Sequence, residues 1–192
     1  GEMDTGILTG FNDLDELTMG LQPSDLIIIA ARPSMGKTSL AINIADYVAV
    51  EEGIPIAIFS LEMSADQIIK RILCAEAQVD LARVRSGYIN KEDFGKLTQA
   101  ANRLSQAPIY VDDTPALSIH EVRARARRLC SEVKTLGLVV LDYIQLLTVR
   151  ERIENRQQEV SLISRSLKAM ARDLNLPVLA LSQLSRALSL IH

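Results

Sequence analysis

Short runs of apolar, mostly β-branched residues alternate along the chain with longer stretches in which apolar positions recur every three or four residues. Strands buried on both faces of a parallel sheet have this nearly continuous apolar character. The alternation therefore predicts an α/β fold, in which a mainly parallel sheet is flanked by helices. Five runs are predicted to be such buried strands: Leu26–Ala30, Ile56–Ser60, Ile109–Asp112, Leu138–Asp142 and Val178–Ser182.

Two helix starts are marked by capping-box spacing, Ser64-x-x-Gln67 and Ser118-x-x-Glu121. In this motif the serine and the residue three positions later satisfy each other's exposed backbone amides. After Ser118 the apolar positions step by three and four, which predicts one buried helix face. The arginines of this helix lie mostly off that face and are predicted to be solvated: Arg123, Arg125, Arg127 and Arg128.

A longer helix is predicted from Asn155 to Leu174, ending before Pro177. Its apolar positions have helical spacing and form one stripe. The stripe consists of Val160, Ile163, Leu167, Met170, Ala171 and Leu174. Residues 1–25 are rich in glycine and contain Pro23, so they are predicted to be an irregular segment leading into the first core strand.

Composition narrows the function classes only modestly. A net charge of −3 over 192 residues gives no global basic surface for nucleic acid, so any such contact must be local. The two histidines, His120 and His192, offer little material for a zinc site or a Ser-His-Asp relay. Cys74 and Cys130 lie far apart without a C-x-x-C partner and are interpreted as buried thiols in a reducing compartment. With no membrane-length apolar run, the chain is expected to be cytosolic.

A phosphate-binding loop is predicted where the first strand gives way to an amphipathic helix. The intervening residues are Ala31, Arg32, Pro33, Ser34, Met35, Gly36, Lys37 and Thr38. A strand, loop and helix in this order direct backbone amides and a helix N-terminus at phosphates, while the lysine reaches the outer ones. Thr38 would hold Mg²⁺ through its hydroxyl. Ala31 stands where the usual pattern has its first glycine.

Three polar residues follow other predicted strands. Asp142 ends an apolar strand and suits a Mg²⁺ contact, although aspartate often merely terminates a strand. Glu62 could orient the attacking water, or it could be a charge favoured in the first turn of the next helix. Gln183 could contact the γ-phosphate or the water, or be a simple polar cap. The spacing alone leaves these alternatives open.

These motifs together resemble the C-terminal RecA-like motor domain of DnaB-type replicative helicases. The resemblance runs from about Thr5 to Arg186, and within that family alanine at the first loop position is familiar. The residues that carry it are Thr9-Gly10-Phe11 with Leu14-Asp15, Ala30 to Thr38, Ser60-Leu61-Glu62-Met63-Ser64, Asp142-Tyr143-Ile144-Gln145-Leu146, Glu159 with Ile163-Ser164-Arg165 and Leu167-Lys168, and Leu181-Ser182-Gln183-Leu184-Ser185-Arg186.

The resemblance implies ATP and Mg²⁺ as cofactors and assigns the candidate residues. Glu62 becomes the acid that activates water, Asp142 the second Mg²⁺ contact and Gln183 the nucleotide-state sensor. Arg71 looks like the family's nucleotide-contacting arginine. The resemblance also implies a six-membered ring around single-stranded DNA, with primase and a helicase loader as partners and the replication fork as the site of action.

The resemblance also predicts the organisation of the chain. Residues 26–186 would be the RecA-like ATPase core, and residues 187–192 depart from the family pattern. Family members continue into a DNA-contacting loop and basic residues that serve the neighbour's ATP, so we expect a truncated piece that binds nucleotide but hydrolyses it slowly.

Other functions remain open on the sequence. A recombination or repair ATPase related to RecA or RadA would share the loop, but it is not expected to carry the block from Glu159 to Lys168. A binding module that switches assembly without hydrolysis is a third possibility. A P-loop kinase is disfavoured because no arginine-rich lid interrupts the pattern.

Overall fold

The computed structural model describes residues 6–31, 37–149 and 155–183. Within these ranges five parallel strands form one sheet in the order β1-β5-β4-β2-β3. The strands are β1 (Leu26–Ala31), β2 (Ile56–Ser60), β3 (Ile109–Asp112), β4 (Leu138–Asp142) and β5 (Val178–Gln183). The α/β prediction is confirmed, and three of the five strands have the predicted bounds. β1 and β5 each run one residue further.

Seven α-helices connect or flank these strands in the described part of the chain. They are α1 (Asn12–Thr18), α2 (Lys37–Asp46), α3 (Ala65–Ala77), α4 (Leu81–Ser86), α5 (Lys91–Ser105), α6 (Ile119–Glu132) and α7 (Arg156–Leu174). A π-helical segment, Tyr47–Glu51, prolongs α2, and a 3₁₀ turn, Ile144–Leu146, follows β4.

The predicted helix starts are confirmed by their capping contacts. Ser64 and Ser118 both form complete capping boxes at the starts of α3 and α6. Asn155 caps α7, whose buried residues Ile163, Leu167, Met170 and Ala171 belong to the predicted stripe. A local sequence signal sufficed in each case, because a cap involves only residues three positions apart.

The sheet lies between two helical layers. Alternate strand residues face opposite sides: Ile56 and Ile58 pack in one cluster, whereas Ala57 and Phe59 pack in the other. The first cluster includes Ile44, Val48, Ile68 and Ile72 from α2, its π-helical extension and α3. The second includes Ile119, Val122, Ile163, Leu167 and Met170 from α6 and α7.

Burial of every strand on both faces was a wrong prediction for β1 and β3. Ile28 in β1 is 44% exposed and Tyr110 in β3 is 40% exposed. These strands are the two edges of the described sheet, so the helices cover them less completely than the central strands. Strand order, which the apolar runs do not encode, decides this difference.

The segment before β1 is more ordered than predicted. It contains α1, and its ends are joined by an antiparallel bridge between Ile7 and Leu21. The buried Thr9 donates from its backbone amide and its hydroxyl to Asp15 Oδ1, at 2.8 Å each. Part of the Thr9-to-Asp15 motif is therefore structural.

Gly10 in the same segment packs against the ring of Tyr47. Its φ is +90°, and a Cβ at this position would lie 2.8 Å from Tyr47 Cγ. Any other residue would be strained and would clash with the ring. The segment is thereby held against the π-helical end of the α2 layer.

The arginines of α6 are not uniformly solvated, which corrects the sequence prediction. Arg123 pairs with Asp173 at 2.9 Å, and Arg125 pairs with Asp112 at 2.8 Å. Arg127 and Arg128 are exposed as predicted. Both pairs join residues of different elements, so helical periodicity could not reveal them.

The remaining chemical candidates have ordinary structural positions. Both thiols are free, with Cys74 buried and Cys130 half-buried, and burial raises the pKa of each. His120 lies on the exposed side of α6, as predicted, and His192 lies outside the described residues. No helix in the described ranges is long and apolar enough to cross a bilayer.

Candidate active site

The polar residues that follow the predicted strands meet at one edge of the sheet. Strand register places Ala31 beside Gln183 and Ser60 beside Asp142. Carboxyl ends of parallel strands share an edge, and ligands of open α/β sheets bind there. The fold therefore brings these strand ends together, as the sequence predicted.

The predicted phosphate loop connects two described elements. β1 ends at Ala31 and α2 begins at Lys37, so strand, loop and helix follow in the predicted order. The intervening residues Arg32, Pro33, Ser34, Met35 and Gly36 lie outside the described residues. An α2 of 10 residues presents its unpaired first-turn amides to this loop.

Thr38 and Asp142 form the central contact of the site. The Thr38 hydroxyl lies in the first turn of α2 and donates to Asp142 Oδ2 at 3.4 Å. Asp142 ends β4 and is 3% exposed. A hydroxyl and a carboxylate are hard oxygen ligands of the kind that Mg²⁺ takes directly or through water. The two residues thus suit the metal ion that the sequence predicted for them.

Glu62 lies close to this pair but outside the helix that follows it. It is exposed and precedes Ser64, the N-cap of α3, by two residues. It is therefore not a first-turn helix charge. The pKa of Tyr143 is raised by burial and further by the negative charges of Glu62 and Asp142, which places both carboxylates near the same ring. Its role as the acid that activates water stays a prediction.

Gln183 ends β5, and its backbone is held by a residue that the sequence reasoning assigned no role. The Gln183 amide donates to Gln145 Oε1 at 3.1 Å, while Gln145 Nε2 donates to the Gln183 carbonyl at 3.1 Å. Gln145 Nε2 also donates to Ser182 Oγ at 2.8 Å. A signal was available, because Gln145 follows Asp142 by three residues and so had to lie near the same sheet edge.

Arg71 lies on the side of α2 that faces α3. Its half-buried side chain lines a cavity of about 210 Å³ together with Ser39 and Asn43 of α2. Its Nε atom is buried without a hydrogen-bond partner among the described residues. The position beside the helix that carries Thr38 suits a nucleotide contact, which stays a prediction.

A strand-loop-helix with a magnesium-type residue pair at the carboxyl edge of a parallel sheet defines the class: a P-loop nucleotide-binding domain. A family model, the DnaB-like helicase C terminal domain, matches residues 6–190. The chain therefore belongs to the DnaB-like helicase C-terminal domain family.

Relatives and solved structures agree with this family. The chain is 56% identical over 184 residues to the replicative DNA helicase DnaB of Geobacillus stearothermophilus and 54% identical over 183 residues to the replicative DNA helicase DnaC of Bacillus subtilis. Each match covers 95% of this chain and 40% of the relative, so the chain spans well under half of either protein.

Two solved structures have the same fold at 33% identity, each with a TM-score of 0.90 over 97% of this chain. One is a DnaB-like replicative helicase, reported with its interactions with primase, of which 45% is covered. The other is the ATPase domain of a second helicase, of which 66% is covered. The fold is therefore RecA-like, as the resemblance implied.

Proposed function

We propose that this chain is the ATP-dependent motor domain of a replicative DNA helicase, which translocates on single-stranded DNA and unwinds duplex. The observation that carries the proposal is the contact between Thr38 and Asp142, which joins the start of the phosphate-loop helix to the central strand β4. Membership of the helicase family supports the choice among P-loop functions.

Each predicted residue has one role in this proposal. Ser34, Gly36 and Lys37 bind the phosphates, together with the backbone from Ala31 to Thr38. Thr38 and Asp142 hold Mg²⁺, which supplies positive charge against the phosphate oxygens when bound. Arg71 contacts the nucleotide.

The two remaining residues act on hydrolysis. Glu62 accepts a proton from the attacking water, because a carboxylate near the metal pair can orient and polarise that water. Gln183 reports whether the γ-phosphate is present through its uncharged amide. Its place beside Ala31 in the strand register, where β1 leads into the phosphate loop, supports this role.

The partners follow from the family and from its relatives. The relatives of known name are replicative DNA helicases, and one solved structure was reported with primase interactions. We propose that the protein acts as a homo-hexamer on single-stranded DNA with primase and a loader, in the cytoplasm at the replication fork.

Glu62→Gln tests the catalytic part of this proposal. The variant should bind ATP with parental affinity but lose roughly 100-fold or more in turnover, since proton transfer of this kind contributes about 10²- to 10⁴-fold. Binding is measured by calorimetry, and turnover by steady-state hydrolysis with and without single-stranded DNA.

Glu92→Gln is the matched control, because Glu92 is an exposed acid on α5 away from the strand ends. It should behave like the parent in both assays. Parental turnover in Glu62→Gln would remove Glu62 from catalysis. Parental ATP binding without any turnover would instead favour a binding module.

A further inference from the structure

The side chain of Gln145 grips the end of β5 as another strand would. Its carboxamide both donates to and accepts from the backbone of Gln183, and it also donates to Ser182 Oγ. A two-point backbone contact fixes the rotation of the peptide planes on either side of Cα. The direction of the Gln183 side chain is therefore set largely by Gln145.

Gln145 is itself held from two other directions. It lies in the 3₁₀ turn after β4, where the neighbouring Ile144 is 2% exposed and belongs to the core. Its backbone carbonyl accepts a hydrogen bond from the Arg156 guanidinium at the start of α7. The carboxamide thus reaches β5 from a fixed base.

The two ends of this connection are the two functional strand ends. Gln145 follows Asp142 by three residues, and Gln183 is the register partner of Ala31 at the start of the phosphate loop. A displacement at the metal-binding end of β4 is passed to Gln183 through three hydrogen bonds rather than through loose packing.

We propose that Gln145 is a positioning residue, which couples the metal-binding end of β4 to Gln183 and thereby sets how strongly the site prefers a nucleoside triphosphate over a diphosphate. This inference rests on the proposed function, because Gln183 has a γ-phosphate to sense only where ATP binds. Gln145 itself touches no substrate in this proposal.

The test uses Gln145→Glu, which keeps the shape of the side chain but removes the Nε2 donor. At pH 8 its carboxylate faces the Gln183 carbonyl, so the ratio of the ADP to the ATP dissociation constant should fall roughly 5- to 20-fold. Near pH 5.5 a protonated acid donates again, and the ratio should return towards the parental value. The parent is measured at each pH because ATP itself titrates.

Gln99→Glu is the matched control, since Gln99 is exposed on α5. Its ratio should equal the parental one at both pH values. Gln145→Met removes all three hydrogen bonds while retaining side-chain length, and it should lower the ratio at both pH values without recovery. It also serves as the second variant if Gln145→Glu does not fold.

Gln183→Ala separates failure of this inference from failure of the proposed function. If Gln183→Ala leaves the ratio unchanged, the sensor role is wrong and the inference is wrong with it. If Gln183→Ala lowers the ratio but the Gln145 variants do not, the inference alone is overturned. Additive effects in the double variant Gln145→Met with Gln183→Ala would also overturn it, because positioning requires that the second change add nothing.

Discussion

The phosphate-loop helix α2 has an acid beside each of its ends, and the two environments differ. At the start, Asp142 is 3% exposed but has the Thr38 hydroxyl as a partner. At the end, Asp46 has no such partner for its buried Oδ1 among the described residues. One end is arranged for a cation, whereas the other accumulates negative charge.

The pKa of Asp46 reflects this accumulation. Burial raises it to about 8, assisted by a hydrogen bond with Glu76 and by the charges of Glu76 and Glu51, while Arg103 opposes the shift. Arg103 instead contacts Glu76 at 2.7 Å. The helix dipole, whose C-terminal end is negative, also disfavours an anion here. Burial of an acid is therefore not enough to identify a functional site, since what faces the acid decides its role.

The largest expected effect lies at the start of α2. Lys37→Ala should weaken ATP binding at least about 100-fold, because the triphosphate loses its main counter-charge in a partly desolvated loop. Calorimetric titration with Mg-ATP measures the change. Lys70→Ala is the control, since Lys70 is exposed on α3, and it should bind as the parent does. Parental affinity in Lys37→Ala would contradict the phosphate-loop assignment.

A smaller effect is expected from Asp142→Asn. Turnover should fall roughly 10- to 100-fold, because the metal loses a carboxylate while the side chain keeps its shape. The melting temperature should stay within a few degrees of the parental value, since asparagine can still accept from Thr38. Hydrolysis assays and thermal unfolding of the same samples check both parts. Undiminished turnover would exclude Asp142 from the metal site.

The smallest effect is expected at the other end of the helix, from Asp46→Asn. The raised pKa means that protonated Asp46 stabilises the fold at low pH, and that this stability is lost as pH rises from about 4 through about 8. Asparagine cannot ionise but can still donate to Glu76. The variant should therefore gain over the parent as pH rises, by about 3 to 8 °C in melting temperature between pH 5 and pH 8.5.

Thermal unfolding at several pH values measures this gain, and ATP affinity should stay parental throughout. Asp66→Asn is the control, because the Asp66 side chain is 88% exposed, and its offset from the parent should not change with pH. A gap for Asp46→Asn that stays constant with pH would show that Asp46 is ionised in the fold.

Some parts of the molecule could be predicted from the sequence because local signals encode them. Strand positions, the helix starts at Ser64 and Ser118 and the meeting of Thr38 with Asp142 follow from local patterns and from parallel strand geometry. The contact between Gln145 and Gln183 spans 38 positions and depends on the neighbouring positions of β4 and β5. No periodicity carries that information.

The same limit applies to the charged residues. The environment of Asp46 is created by Glu76 and Arg103, which α3 and α5 bring to it. Helical spacing likewise offers no reason to separate Arg125, which pairs with Asp112, from the exposed Arg127. Such pairs become visible only once the order of the elements is known.

The seat of Gly10 on the Tyr47 ring has a mechanical consequence. Tyr47 begins the π-helical extension of α2, so the ring links the segment before β1 to the same rigid rod that carries Thr38 at its far end. A helix of 10 residues is about 15 Å long and hardly compressible along its axis. Tension on the chain at Gly10 therefore has two routes to the nucleotide site, one along β1 and one through this aromatic bearing.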